Sequence, residues 1–349
     1  MSQTNIAETI DGRATTDDGK WRIRFYRDGD VPGIVALYNE AATLDGREAH
    51  ITVEDFTGQI NMPIVNPYKQ MLVAEGATEG TFIGYGRAVP IDDPNTGERI
   101  YQMGLTTHPS VRAEGLEQAL ASRIGRIIRD HEADPGTKPA VQVNVLAGAS
   151  EKSISLIELY RGIGLRDVRH GWTMERSLLD PIPEPKEVKG VALRPYRRPE
   201  DNVAARDAFK QSFIDHFEYH ELPQEVWDAQ MERSGMRPDL SLLAEVEDEP
   251  GTIAGFCICE VNAEENERKG RKEGWIALLG TTRSWRGVGL GKALLLRGMR
   301  NLKEAGLETA MLGVDAESPT GANRLYESVG FTVREHEIIF KAALSELKV

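Results

Sequence analysis

The chain has 349 residues, which is long for one domain and sufficient for two. Its 55 acidic and 42 basic residues give a net charge of −13, which argues against nucleic acid or an anionic membrane as a partner and would suit a cationic amine. No apolar run approaches the roughly 20 residues of a membrane span, and the first residues lack the apolar core of a signal peptide.

The polar start of the chain is followed by a strand and a helix. Residues 1–19 have no apolar pattern, which predicts a flexible N-terminal tail. Residues 21–27 alternate between apolar and polar side chains, which predicts a strand. A helix is predicted next, from the spacing of Ile34, Leu37 and Tyr38.

The same order of elements begins again in the middle of the chain. Residues 179–191 are rich in proline and charge, which predicts an extended linker. Residues 191–197 then predict a second entering strand, and a helix is predicted through Val203, Ala204 and Phe209.

The only two cysteines lie in a later apolar run. Cys257 and Cys259 are two residues apart, so in a strand they point to one face and do not easily bridge each other. No histidine near them in sequence completes a metal site. We interpret them as buried thiols of a protein in a reducing cytoplasm.

A glycine-rich turn joins a predicted strand to a predicted helix. Residues 275–279 are apolar and predict a buried strand, and an amphipathic helix is predicted from Leu290, Ala293 and Leu294. Between them, residues 286–291 read R-G-V-G-L-G, with three glycines at alternate positions. This spacing predicts a place where the backbone approaches a ligand closely.

The chemistry of this turn indicates an anion site. The first N–H groups of a helix have no partner within the helix, so they bind anions, and Arg286 and Lys292 add positive charge. A P-loop is excluded because Ala293 follows the lysine, and the glycine spacing does not fit the dinucleotide fingerprint of a nicotinamide enzyme. Two interpretations of this turn remain, namely a pyrophosphate cradle and a glycine-rich turn without a ligand.

A second motif lies forty residues further along the chain. Residues 309–315 have the apolar composition of a central strand, and residues 322–327 predict a short helix. Gly330 suits a left-handed cap after that helix, and Phe331 begins the next strand.

Together the two motifs resemble those of the GNAT N-acetyltransferase superfamily, with R-G-x-G-x-G at residues 286–291 and A-x-x-L-Y-x-x-x-G-F at residues 322–331. The resemblance implies a mixed central sheet flanked by helices, acetyl-CoA as cosubstrate without a metal, and Tyr326 as the acid that protonates the departing thiolate. It also implies that a splayed strand and the glycine loop hold the coenzyme, through Leu279, Gly280, Thr281, Arg286, Gly287, Val288, Gly289, Leu290, Gly291, Lys292 and Asn323.

Parts of both motifs occur earlier in the chain. Residues 112–120 align with residues 286–294 and share Arg, the central Gly, Leu, Ala and Leu. Residues 159–165 parallel residues 325–331 in the same way. Anchors in the same order at nearly constant offset predict a tandem duplication.

The predicted α/β (α+β) domains, residues 20–178 and 192–349, are unequal. In the first copy, Ala113 and Glu117 replace two of the three loop glycines, and Glu114 lies between them. Side chains and carboxylates in this loop exclude and repel a pyrophosphate. We therefore expect the second domain to bind acetyl-CoA and the first to serve as a scaffold.

Two fused copies with a degenerate first loop resemble the tandem GNAT acetyltransferases, among them the mycothiol synthases. The sequence departs from that group at Gly313, where mycothiol synthases favour a tyrosine. The identity of the small-molecule amine acceptor and the oligomeric state therefore stay open.

The general base has several candidates. Glu273 precedes the cofactor strand, Asp315 ends the next one, and His216, Glu218 and His220 follow the first helix of the second copy. His216 and His220 fall where this superfamily places its acceptor-binding helices, so the resemblance implies substrate binding. On a helix they would share a face, which is also metal-ligand spacing, but no third ligand forms a recognisable pattern.

These expectations leave two functional classes. The first is an N-acetyltransferase that moves an acetyl group directly to an amine. The second is a sensor module that binds acyl-CoA without turnover. Tyr326 within its full motif favours the enzyme, because a sensor has no need of an acid at that position.

Overall fold

The computed structural model describes residues 14–15, 21–48, 50–78, 80–93, 96–217, 219–318 and 320–349. Apart from Ala14–Thr15, which pair with the next strand, the predicted N-terminal tail lies outside the described residues. The chain divides into two compact units, here called unit 1 (Met1–Val168 with Ile338–Val349) and unit 2 (Arg169–Glu337).

The elements of each unit follow the same plan. Unit 1 contains β1 (Ala14–Thr15), β2 (Trp21–Phe25), α1 (Val31–Leu44), α2 (Val53–Ile60), α3 (Pro67–Gln70), β3 (Met71–Gly76), β4 (Phe82–Asp92), β5 (Glu98–Thr107), α4 (Leu116–Ala133), β6 (Gln142–Ser150) and α5 (Ile154–Gly162). Unit 2 contains β8 (Val191–Pro195), α6 (Asn202–Phe213), α7 (Gln224–Met231), β9 (Leu242–Val246), β10 (Ile253–Glu260), α8 (Ala263–Lys269), β11 (Glu273–Thr281), α9 (Leu290–Glu304), β12 (Thr309–Asp315) and α10 (Ala322–Glu327). The chain enters unit 2 within β7 (Arg166–Ser177) and leaves it within β13 (Thr332–Ala343).

Each unit has a mixed sheet, which confirms the predicted α/β fold class. In unit 1, β1 to β5 are antiparallel in sequence order, and β5 pairs with β6 in parallel. In unit 2, β8 to β11 are antiparallel, β11 pairs with β12 in parallel, and β12 pairs with β7 antiparallel. The entering strands and the helices that follow them lie where the two apolar patterns predicted them.

The two parallel pairs differ in length. In unit 1 the β5–β6 ladder extends over six residue pairs, from Glu98↔Gln142 to Met103↔Ala147. In unit 2 the β11–β12 ladder has three, from Glu273↔Thr309 to Trp275↔Met311. After that point β11 and β12 diverge, which opens the sheet of unit 2.

The units differ from the predicted domain bounds at the end of the chain. The segment Ile338–Val349 belongs to unit 1, where Phe340 packs on Tyr160 with ring centroids 5.4 Å apart. The N–H of Lys348 donates to the carbonyl of Ile163 at 2.8 Å. The predicted linker, residues 179–191, contains no helix and no strand before Val191, and it belongs to unit 2.

Helix α9 packs closely on β10 because it carries a glycine at the contact. A Cβ built on Gly298 would lie 2.5 Å from the sulfur of Cys257, so no larger residue fits there without a shift. Both cysteines are free and buried. In the described part of the chain, no helix is long and apolar enough to cross a membrane.

An ion triad occurs in both units at matching positions, buried in unit 1 and partly buried in unit 2. In unit 1, Arg24 donates to both oxygens of Asp30, at 2.7 and 2.8 Å, and to Glu75 at 2.8 Å. Each triad ties the entering strand to the start of its helix and to the next strand. In unit 2 the corresponding residues are Arg194, Asp201 and Glu245.

We expect Asp201→Asn to lower the stability of unit 2 by about 2 kcal/mol at pH 7. Burial opposes ionisation of Asp201, but hydrogen bonds from Arg194 and Arg197 lower its pKa to about 2. Because this pKa is below that of the unfolded chain, the stabilisation is present above about pH 4 and is lost as the pH falls towards 2. Urea unfolding at pH 7 and pH 3 measures the difference, with the exposed Asp207→Asn as control. An equal destabilisation at both pH values would contradict this assignment.

Candidate active site

Unit 2 contains a cleft of about 830 Å³. It is bounded by the end of α6, the diverging part of β11, the loop before α9, the end of β12 and the helix α10. Most of the predicted site residues line it. These are Leu279, Gly280, Thr281, Arg286, Gly287, Gly289, Leu290, Gly291, Lys292, His216, Asp315 and Tyr326.

The divergence of β11 from β12 creates the cleft. On its other edge β11 stays paired with β10, as far as Thr281 opposite Gly255. In an antiparallel pair, alternate residues direct their N–H and C=O groups away from the partner strand. The groups of β11 after Trp275 that point towards β12 therefore face the cleft, and they can bind an extended ligand along the strand.

The glycine loop at the start of α9 has the form of an anion cradle. Gly287 and Gly289 have φ angles of +78° and +91°, which L side chains rarely adopt. A Cβ built on either residue meets no atom within 4 Å, so open space lies beside the backbone. This arrangement fits the pyrophosphate of a coenzyme at the N-terminus of α9, which begins at Leu290.

Basic side chains surround this cradle. The guanidinium of Arg286 donates to the carbonyl of Ser212 at 2.9 Å and contacts Asp215 at 3.3 Å. Lys292 donates to the hydroxyl of Ser328 at 3.2 Å. These contacts hold both cations at the start of α9.

Sequence reasoning missed Asp215, which accepts hydrogen bonds from Arg283 and Arg286. Arg283, followed by Arg286, lowers the pKa of this carboxyl below its usual value. The pairing joins residues 68 positions apart, and nothing in the local pattern indicates it. Asp215 thus connects the turn after α6 with the glycine loop before α9.

Two predicted coenzyme residues lie outside the lining of the cleft. The side chain of Val288 points to solvent and is 54% exposed. Asn323 donates from its side-chain amide to the carbonyl of Ala316 at 2.7 Å, which fixes the turn before α10. Neither side chain lines the cleft.

Tyr326 lines the cleft from α10 and is 7% exposed. Its ring packs edge-on against Phe331 at 6.0 Å. Burial, with a smaller contribution from Cys257, raises the pKa of Tyr326 to about 12. The phenol is therefore protonated throughout the neutral range and has a proton to donate.

The structure separates the base candidates. Asp315 lines the cleft at the end of β12, where Arg169 lies 3.3 Å from its carboxylate. Glu273 does not reach the cleft, because it lies where β11 still pairs with β12, and its carboxylate binds Arg334 at 2.8 Å.

The two histidines also differ in their position relative to the cleft. Helix α6 ends at Phe213, so His216 and His220 are not on a helix and the predicted shared face does not occur. His216 lines the cleft and His220 does not. Glu218 lies outside the described residues. Among the residues that the structure places, no cluster of three or more His, Cys, Asp or Glu side chains could hold a metal ion.

Unit 1 has a cavity of about 840 Å³ at the corresponding loop, and its lining includes the side chains of Arg112 and Glu117. Gly115 keeps the left-handed conformation before α4, with φ +83°. The buried carboxylate of Glu117 accepts hydrogen bonds from Thr107 at 2.8 Å and Ser155 at 3.2 Å. Arg112 binds both oxygens of Asp45, at 2.6 and 2.8 Å.

Comparison with known proteins agrees with this geometry. Residues 203–331 match the model of the acetyltransferase (GNAT) family. A mycothiol acetyltransferase from Thermobispora bispora is 31% identical over 317 residues, which cover 90% of this chain and 96% of that protein.

Solved structures show a similar fold over most of the chain. A GCN5-related N-acetyltransferase from Sphaerobacter thermophilus has a TM-score of 0.71 and 25% identity, over 93% of this chain and 96% of its own. A tandem GNAT protein from the clavulanic acid biosynthesis pathway shares the fold, with a TM-score of 0.68 and 16% identity over 93% of this chain and 99% of its own. This chain therefore belongs to the GNAT family of acetyltransferases, in its tandem form, and is an acyltransferase with sequence similarity to the mycothiol acetyltransferases.

Proposed function

We propose that unit 2 transfers an acetyl group from acetyl-CoA to the amine of a small-molecule acceptor and that unit 1 is structural. The difference between the two parallel ladders carries this proposal. The ladder of unit 2 has three residue pairs and ends at Trp275, whereas that of unit 1 has six and ends at Met103. Only the earlier divergence leaves enough unpaired backbone beside the cleft to hold a pantetheine arm.

The loops support the same assignment. In unit 2 the space beside Gly287 and Gly289 is open, and Arg286 and Lys292 line it. In unit 1 the carboxylate of Glu117 already occupies the start of its helix, and a buried carboxylate there repels a pyrophosphate. The coenzyme therefore binds to unit 2.

Each part of the cleft has a role in the reaction. The N–H groups of residues 287–291, with Arg286 and Lys292, bind the pyrophosphate. Backbone N–H groups near Leu279 and Gly280 bind the thioester oxygen and stabilise the negative charge that develops on it. Tyr326 donates its proton to the leaving sulfur.

The acceptor end of the cleft suits a cationic amine. Asp315 lines the cleft at the end of β12, and the whole chain carries a net charge of −13. A Cβ built on Gly313 meets nothing within 4 Å, so this strand leaves room for a substituent on the acceptor. Because the relatives are mycothiol acetyltransferases, their acceptor is the first amine to test.

Calorimetric titration with acetyl-CoA tests the cofactor part of this proposal. We expect one site per chain, because in unit 1 the carboxylate of Glu117 lies at the start of the helix and the parallel strands stay paired over a longer ladder. Two sites per chain would contradict a structural role for unit 1. The absence of binding would contradict the whole proposal.

Thiol release tests the catalytic part. With acetyl-CoA and a panel of small amines, free coenzyme A should appear only when an acceptor is present, together with an equal amount of acetylated amine. Binding without amine-dependent release for any acceptor in the panel would favour the sensor over the enzyme.

A further inference from the structure

The cleft of unit 2 offers few groups that can accept a proton. Six titratable side chains line it among the described residues, namely Asp215, His216, Arg286, Lys292, Asp315 and Tyr326. The arginine and the lysine supply the positive charge of the cradle, and Tyr326 is the proposed acid. Among these six side chains, only the two carboxylates and His216 can accept the amine proton.

Both carboxylates are engaged by arginines. Asp215 contacts Arg283 and Arg286, which lower its pKa below the usual value and make it a weaker base. Asp315 lies 3.3 Å from Arg169, and it also accepts the N–H of Glu317 at 2.8 Å. Both carboxylates therefore already have partners in the structure, Asp215 through two arginines and Asp315 through Arg169 and a backbone N–H.

His216 is fixed on the wall of the cleft. It follows the end of α6, and its backbone N–H donates to the carbonyl of Phe213 at 2.8 Å. Its ring packs against the ring of Phe213 with centroids 4.4 Å apart, and both residues line the cleft. The imidazole is thus held in the same cleft as Tyr326.

The charges around His216 favour a neutral ring that can take up a proton. Burial lowers its pKa below 6.5, Asp315 on β12 raises it, Arg286 lowers it and Asp215 on the same turn raises it. The net pKa is below its ordinary value, so the ring is neutral at pH 7. Asp315 can then stabilise the imidazolium that forms when the ring is protonated.

We propose that His216 is the general base of the reaction and accepts the proton lost by the acceptor amine. The inference rests on the proposed function of unit 2. The amine attacks in its neutral form: its nitrogen forms a bond to the acetyl carbon, the carbon–sulfur bond breaks, and the electron pair of that bond goes to the sulfur. The sulfur takes the proton of Tyr326, and the amine proton goes to the imidazole of His216.

The test compares pH–rate profiles of the full chain and its His216→Gln variant. In the wild type, kcat/KM should fall as the pH drops through the pKa of His216, because the protonated ring cannot act as a base. The variant should lose about 100-fold in kcat/KM at pH 7, and this low-pH limb should disappear. The Kd for acetyl-CoA should stay unchanged in calorimetry.

Two further variants make the result specific. His216→Ala should regain activity when imidazole is added, which an unfolded or misfolded chain could not do. His108→Gln, a histidine change in unit 1, should keep the wild-type profile.

A His216→Gln variant that keeps both the rate and the low-pH limb overturns the assignment while the proposed function stands. A wild-type chain that binds acetyl-CoA but acetylates no amine overturns both.

Discussion

Replacing Tyr326 by phenylalanine is expected to lower kcat about 100-fold or more and to leave the Kd for acetyl-CoA within about twofold. The change removes only the hydroxyl, and the ring keeps its packing against Phe331. A coenzyme thiolate that leaves without a proton donor is a poorer leaving group, so the cost falls on the chemical step. Stopped assays of thiol release give kcat, and calorimetry gives the Kd.

The chain provides a matched control for this experiment. Tyr160 occupies the equivalent place in the first copy, but it is fully buried against Phe340 and does not line the cavity of unit 1. Tyr160→Phe should therefore leave kcat unchanged. If Tyr326→Phe turns over as fast as the wild type, Tyr326 is not the acid.

The parts of the site that were predicted from sequence depend on local backbone geometry. Gly289 and Gly115 both adopt a left-handed conformation immediately before a helix, where other residues are strained. Both copies require a left-handed residue at this position, and both have a glycine there. The neighbouring positions, Ala113 and Glu117, are not glycines in the first copy, although Gly287 and Gly291 occupy them in the second.

The parts that sequence reasoning missed depend on contacts between distant residues. Glu273 is close in sequence to the cofactor strand, but it lies on the paired portion of β11 and its carboxylate binds Arg334. The point at which β11 and β12 diverge depends on how the two strands pair. The apolar pattern of either strand alone does not contain that information. The placement of Ile338–Val349 in unit 1 was not predicted for the same reason. Alignment of the two repeats compares their sequences and does not show which unit a segment contacts.

Gly289→Glu is expected to weaken acetyl-CoA binding by roughly 1,000-fold. No atom lies within 4 Å of the position of its Cβ, so the new side chain enters the open space beside the loop. Its carboxylate then faces the pyrophosphate, and two like charges 4 Å apart repel each other by about 4 kcal/mol near a protein surface. A factor of roughly 1,000 in Kd corresponds to that energy. Calorimetry against acetyl-CoA measures the change.

The left-handed backbone at this position introduces a second effect, which the control must match. A non-glycine residue there costs about 1–2 kcal/mol of strain, whatever its charge. Gly115→Glu places the same residue in the same backbone conformation of unit 1, also with no atom within 4 Å of its Cβ. If unit 2 alone binds the coenzyme, Gly115→Glu carries the strain and keeps the wild-type Kd and stoichiometry. Gly289→Ala, which has the strain without the charge, should lie between the wild type and Gly289→Glu. A loss of affinity in Gly115→Glu would instead assign coenzyme binding to the first copy.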